Sequence, residues 1–133
     1  MKDKYYYSDG STSSEIDYSK QLHRVDGPAI EHSNGTKYWY LNGRCHRVDG
    51  PAIEYSNGTK FWYLNGRYHR VDGPAYEGSD GSKAWYLNGE HITKLTKDQL
   101  INYMKSNNYI LAHLLTDPES MVREAALKYG DKL

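Results

Sequence analysis

Histidine at a fixed interval is the first feature of this chain that invites chemistry. His23, His46 and His69 recur every 23 residues, and a neutral imidazole is a common zinc ligand and a general base. Ligands of one zinc all lie about 2 Å from the ion. Residues that return once per two-strand unit stand about 10 Å apart. With no cysteine or carboxylate at zinc spacing, the histidines read as a structural ladder, and no metal site is expected. Each is followed by an Arg and an Asp: Arg24/Asp26, Arg47/Asp49 and Arg70/Asp72. A constellation that occurs three times is better explained as scaffold than as one active centre. An Asp before Gly-Pro can hold turn amides and pair with the Arg across the bend. The chain has no nucleophile elbow, no phosphate-binding glycine loop and no HExxH, so no catalytic residue and no cofactor are expected, and binding is favoured over catalysis.

The residues that recur belong to a repeat, and the repeat must position them. Copy one runs from His23 to Cys45, HRVDGPAIEHSNGTKYWYLNGRC. Copy two, His46 to Tyr68, differs only at Tyr55, Phe61 and Tyr68. Copy three, His69 to His91, drifts further, at Tyr76, Gly78, Asp80, Ser82, Ala84, Glu90 and His91. Residues Tyr5 to Leu22 look like a decayed earlier copy, because Ser8-Asp9-Gly10-Ser11 matches Ser79-Asp80-Gly81-Ser82.

Each copy carries turn signals. Asn34-Gly35, with Asn57-Gly58 and Asp80-Gly81, is expected to form a two-residue type I′ turn, and Asn42-Gly43, Asn65-Gly66 and Asn88-Gly89 a second turn. Asp26-Gly27-Pro28 breaks the chain again. The predicted unit is a hairpin with strands near 28–33 and 36–41, followed by a short extended His-Arg segment. A two-residue loop sets Glu31 opposite Tyr38 and Ile30 opposite Trp39. Alternation then puts Pro28, Ile30, Trp39 and Leu41 on a core face, repeated as Ile53/Trp62/Leu64 and Tyr76/Trp85/Leu87. The opposite face would carry Tyr38, Tyr40, Phe61, Tyr63, Tyr86, Glu31, Glu54 and Glu77, with Ala29, Ala52 and Ala75 between them. Tyr-rich, partly polar surfaces suit recognition, so these eight residues are the expected partner-binding set. The few positions where copies differ, such as His32, Tyr55 and Gly78, are a second candidate.

Composition bounds the reading. Lys+Arg and Asp+Glu both total 17, for a formal net charge of zero. That argues against a bulk nucleic-acid binder and against attraction to anionic membranes. No apolar run is long enough to span a bilayer, and the N-terminus does not read as a secretory signal. Cys45 is the single cysteine. A reducing, cytoplasmic location is the simplest expectation. The 14 tyrosines against one phenylalanine suit surfaces that are partly buried and partly wet.

The spacing Tyr40-Leu41-Asn42-Gly43-Arg44-Cys45-His46, with Gly50 and a later Asn-Gly, resembles the MORN repeat over roughly residues 5 to 91. The family's Gly-x-Gly after the histidine is replaced here by Arg47-Val48-Asp49-Gly50-Pro51. This variant, His-Arg-x-Asp-Gly-Pro-Ala, looks like repeats in uncharacterised large-phage and giant-virus proteins. The resemblance implies an elongated, single-layer sheet of antiparallel hairpins, and a role in scaffolding, dimerisation or partner binding.

After Ile92 the pattern turns helical. Thr96-Lys97-Asp98-Gln99 reads as a capping box ahead of Leu100, Ile101 and Met104. Tyr109 to Leu115 suggests a second short helix. Asp117-Pro118 opens a third, with Met121, Val122, Ala125, Ala126 and Leu127 in a stripe; the string to Ala126 resembles half of a HEAT repeat. The expected class is therefore mainly β with an α-helical tail. Residues 1–22 form a degenerate repeat or cap, 23–92 three hairpin repeats, and 93–133 a cap of two or three short helices closing the open sheet edge. The expected function is non-catalytic protein binding, plausibly as a phage-type accessory acting on a host or self-encoded protein. A homo-oligomeric structural protein and a nucleotide-binding protein are the rivals.

Overall fold

The structure is a computed structural model that describes residues 2–71 and 73–91. The expected helical tail lies outside the described residues. Within them the chain is all strand, turn and bend.

Fourteen short strands follow one another: β1 (Lys4–Tyr6), β2 (Thr12–Ser13), β3 (Ile30–Glu31), β4 (Lys37–Tyr38), β5 (Tyr40–Leu41), β6 (Arg44–Cys45), β7 (Ile53–Glu54), β8 (Lys60–Phe61), β9 (Tyr63–Leu64), β10 (Arg67–Tyr68), β11 (Tyr76–Glu77), β12 (Lys83–Ala84), β13 (Tyr86–Leu87) and β14 (Glu90–His91). Eight of them form one antiparallel sheet in the order β12-β11-β8-β7-β4-β3-β1-β2. The other six form three separate hairpins, β5-β6, β9-β10 and β13-β14. Each unit is thus two hairpins. The chain runs through the large sheet, leaves it at Trp39, Trp62 or Trp85, and makes a second, smaller hairpin. That hairpin's return strand, Arg44–Cys45 in copy one, comes just before the His-Arg segment.

The second hairpins are tied to each other by main-chain bonds. Gly66 N–H donates to Cys45 O (2.9 Å), Arg47 N–H to Tyr63 O (3.1 Å) and Gly89 N–H to Tyr68 O (2.8 Å). Two parallel systems of hydrogen bonds therefore run along the array, one through the sheet and one through the small hairpins.

The two turns differ, and the difference corrects the predicted register. At Asn42-Gly43 both residues have positive φ (49° and 75°), and Leu41 faces Arg44, which is the expected two-residue type I′ turn. At Asn34-Gly35 only the glycine is left-handed (φ 95°). Gly35 N–H donates to His32 O (3.0 Å) and His32 N–H to Thr36 O (2.9 Å), a three-residue loop. The Asn34 carboxamide oxygen accepts from Thr36 N–H (2.9 Å) and so holds the asparagine in an ordinary turn conformation. Asn57/Thr59 and Asp80/Ser82 repeat this bond.

One extra loop residue flips every side chain. Ile30 faces Tyr38, and Glu31 faces Lys37. The core face predicted from Pro28, Ile30, Trp39 and Leu41 is therefore split, and so is the predicted Tyr/Glu face. Ile30 joins the tyrosines: the buried cluster is Tyr5, Tyr7 and Ile30, with Ile16, Leu22, Tyr38 and Tyr40 packed on it.

The N-terminal segment joins the array in an unexpected frame. The loop Tyr7–Ser11 has the same three-residue form as the loop at Asn34-Gly35, with Gly10 at φ 83°. Yet β1, not β2, lies beside β3, with Tyr5 opposite Ile30. Lys4-Tyr5-Tyr6-Tyr7 thus plays the part of Lys37-Tyr38-Trp39-Tyr40. The frame follows the aromatic residues rather than the turn signal.

Candidate functional site

Register distributes the repeat residues over two unlike faces. Main-chain bonds from Trp39 N–H to Ala52 O, Ala52 N–H to Phe61 O and Trp62 N–H to Ala75 O (each 2.7 Å) fix the first. Ala52 lies between Trp39 and Trp62 on neighbouring strands. Ala29 and Ala75 lie likewise, between Tyr6 and Trp39 and between Trp62 and Trp85. All three alanines have no exposed surface. Small residues between indoles are what interdigitated packing needs.

Over these rings lie the arginines. The Arg24, Arg47 and Arg70 guanidinium carbons sit 3.9, 4.0 and 3.8 Å from the ring centroids of Tyr6, Trp39 and Trp62. Each guanidinium also donates to a proline carbonyl, Pro28, Pro51 or Pro74, at 3.1 Å. Each pairs with a glutamate: Arg24 with Glu31 (2.8 Å), Arg47 with Glu54 (3.6 Å) and Arg70 with Glu77 (3.1 Å). Arg24 and Arg47 bond Asp26 and Asp49 as the sequence suggests (3.2 and 3.0 Å). The glycine of Asp-Gly-Pro leaves room for this stack. A Cβ on Gly50 would stand 3.0 Å from the Arg47 guanidinium carbon, and on Gly27 the same distance from that of Arg24.

The glutamates have a second partner. Lys4, Glu31, Lys37, Glu54, Lys60, Glu77 and Lys83 alternate across seven strands, a charge pattern that favours this register over its neighbours. Glu31, Glu54 and Glu77 are thus scaffold residues on the Trp/Arg side. They do not share a face with the tyrosines named beside them.

The histidines are joints. Asn42, Asn65 and Asn88 each donate a main-chain N–H to Nδ1 of His23, His46 and His69, all at 2.9 Å. An Nδ1 that accepts must be unprotonated, so the proton of the neutral ring is on Nε2. Each bond ties a type I′ turn to the first residue of its own copy. Burial lowers the His69 pKa below the ordinary imidazole value. Among the described residues no group of three His, Cys, Asp or Glu could hold a metal ion.

The other face is aromatic. Tyr5, His32, Tyr38, Tyr55, Phe61 and Tyr76 follow one another with ring centroids 6.1, 5.6, 6.0, 5.7 and 5.0 Å apart, the first four contacts edge-on. From Phe61 the row turns onto the small hairpins through Tyr68 (5.9 Å), which lies 4.4 Å from Tyr63 and 4.9 Å from Tyr86. His91 closes it against Tyr86 at 5.2 Å. Such edge-to-face and offset contacts suit the ring quadrupoles. Tyr38, Tyr40, Phe61, Tyr63 and Tyr86 are all half-buried, and Tyr55 is 38% exposed. Burial first, then the hydrogen bond with Tyr55, raises the Tyr38 pKa; burial likewise raises that of Tyr63. These phenols therefore remain neutral donors. Cys45 lies among them, its thiol pushed up to about 12 by burial, which makes it unreactive at neutral pH.

The structure therefore brings together the five predicted aromatics and separates from them the three predicted glutamates. It joins to them His32 and Tyr55 of the second candidate set, and adds Tyr5, Tyr68, Tyr76 and His91. A signal for these was present in the repeat itself. Seven columns of the repeat differ between copies. Four of them, headed by Ile30, His32, Tyr38 and Cys45, contribute to the aromatic row or its packing. The other three, headed by Asn34, Thr36 and Arg44, form or flank turns. None is a residue of the Trp, Arg, Ala and Glu stack, although Arg44, replaced by Glu90 in copy three, faces Leu41 on that side.

No helix among the described residues is long and apolar enough to cross a membrane. The repeated hairpins are compatible with a MORN-like repeat without identifying one. Comparison with family models, curated proteins and solved structures returned no match.

Proposed function

We propose that this chain is a non-catalytic protein-binding module whose working surface is the aromatic row. The observation that carries the reading is the segregation of differences. Copies keep the stacked Trp, Arg, Ala and Glu residues constant and diverge chiefly on the half-buried aromatic side. A repeat that keeps its scaffold and varies one face presents a surface built for a particular partner. Tyrosine suits that surface, since it supplies area and a hydroxyl at low conformational cost. A phage-type accessory role toward a host or self-encoded protein rests on the resemblance of the repeat alone. Nucleotide sequestration between tyrosines is less well supported. Tyr63 and Tyr68, 4.4 Å apart, are already stacked on each other and leave no slot for a base between them.

The test is affinity capture with the full chain as bait, compared with a triple variant Tyr55→Ala/Tyr63→Ala/Tyr86→Ala. The variant should keep the wild-type β-sheet circular dichroism and lose the captured protein. Equal capture by the two would refute the aromatic row as the working surface. Light scattering of the unliganded protein separates the homo-oligomer reading, which needs a species larger than the monomer.

A further inference from the structure

The Trp/Arg side carries one surface that its scaffold role does not explain. Between the bend of copy one and that of copy two lies a groove of about 500 Å³ with Trp39 and Leu41 on its floor. Val25 and Val48 flank it from the two bends, and each is 83% exposed. Side chains so exposed contribute nothing to the core, yet Val is kept in all three copies, including the third, which drifts at seven other positions. The charges at the groove are unequally available. Arg24 and Arg47 have only 23% of their side chains exposed and are held by a ring, a carbonyl and a glutamate. Asp26 and Asp49 are 86% and 85% exposed, and only Oδ1 of each meets its arginine. What an incoming molecule meets is valine, Trp39 and Leu41 beside the two held guanidinium groups, with carboxylate at the rim.

Equivalent bends are two strands apart, about 10 Å. One turn of a polyproline II helix rises about 9.3 Å and returns the same side to the surface every third residue. An extended β-segment alternates every second residue and falls out of phase with that pitch.

We propose that this groove binds a proline-rich, lysine- or arginine-bearing segment of a partner protein in the polyproline II conformation. Prolyl rings lie against Val25, Val48 and Trp39, one turn advances one repeat, and basic side chains reach Asp26 and Asp49. Such segments carry little conformational entropy to lose on binding and favour grooves lined by aromatic residues.

A fluorescent (Pro-Pro-Lys)5 peptide titrated against the full chain tests this by anisotropy, beside (Pro-Pro-Glu)5 and (Gly-Ser-Lys)5 of equal length. The lysine-proline peptide should bind, more weakly as salt rises, and the other two should bind at least about tenfold more weakly. Val25→Ser/Val48→Ser and Asp26→Asn/Asp49→Asn should each weaken it about tenfold. Both change exposed side chains, so thermal melts should match the wild type, and Tyr55→Ala should bind as the wild type does. Absence of binding, equal binding of the glutamate peptide, or indifference to the valine variant overturns the proposal. So does self-association of the wild type that the valine variant abolishes, since the groove's occupant would then be a second copy.

Discussion

The two faces of this array are made from the same strands and do different work. On the Trp/Arg side the stacked residues are each fixed by several partners at once. Arg47 meets a ring, a carbonyl, two carboxylates and a glycine backbone, and Ala52 has an indole on either hand. A residue so constrained cannot change without its neighbours, and the copies have not changed it. On the aromatic side contacts run from ring to ring, edge-on along the sheet and tilted toward the small hairpins, and at several positions a ring is replaced by another ring, an imidazole or nothing. Gly78 is such a case: a side chain there would collide with the Tyr76 hydroxyl and the Asp80 carboxylate, which already fill the place that Tyr55 takes in copy two. Tolerance of change, more than composition, separates scaffold from recognition surface.

That contrast can be broken by substitution, and its largest test is Ala52→Leu. Forcing a branched side chain between Trp39 and Trp62 should cost about 3 kcal/mol, read as a lowered urea midpoint. A loss below about 1 kcal/mol would mean that the indoles can separate. Next comes Arg47→Ala, which removes the stack and frees the Pro51 carbonyl. At a half-buried site it should cost about 1–2 kcal/mol. Arg47→Lys should recover less than half, because an ammonium cannot lie flat on an indole.

The His69 joint adds a dependence on pH. The folded-state pKa of His69 lies below its ordinary value because of burial, so the unfolded chain takes up the proton first. Stability present at neutral pH is therefore lost as pH falls through the ordinary imidazole value, near about 6.5, toward the folded one. His69→Asn keeps an acceptor near Nδ1 and removes the titration. Chemical denaturation across this range should show a shallower slope for the variant. The smallest effect belongs to the aromatic side, where Tyr55→Ala should cost about 1 kcal/mol or less. A larger loss there than for Arg47→Ala would erase the distinction between the faces.

Much of this was legible in the residues. The repeat, its hairpins, the Arg–Asp pairs and the structural use of His23, His46 and His69 all follow from period and residue type. The faces do not, because they hang on a single residue of loop length. Asn-Gly-Thr and Asn-Gly-Arg look alike as turn signals. In the first, Thr36 presents its N–H to the Asn34 side chain, and the loop takes three residues. In the second the Asn42 N–H is held by His23 Nδ1, and Asn42 is left-handed. Reading both as type I′ put Glu31 with Tyr38 and Ile30 with Trp39. The row from Tyr5 to His91 was hidden for a further reason: it crosses from the large sheet to the small hairpins, and no alternation along one strand reports that.

The same turns bear on how the molecule ages. Five Asn-Gly junctions in one small chain would ordinarily mark it for deamidation, in which the glycine nitrogen attacks the asparagine carboxamide to close a succinimide. Here each of those nitrogens is engaged: Gly35, Gly58, Gly43, Gly66 and Gly89 donate to His32, Tyr55, Leu22, Cys45 and Tyr68. The folded array should therefore keep its asparagines while the unfolded chain loses them. Peptide mass spectrometry after prolonged incubation with and without denaturant would date the fold by its chemical wear.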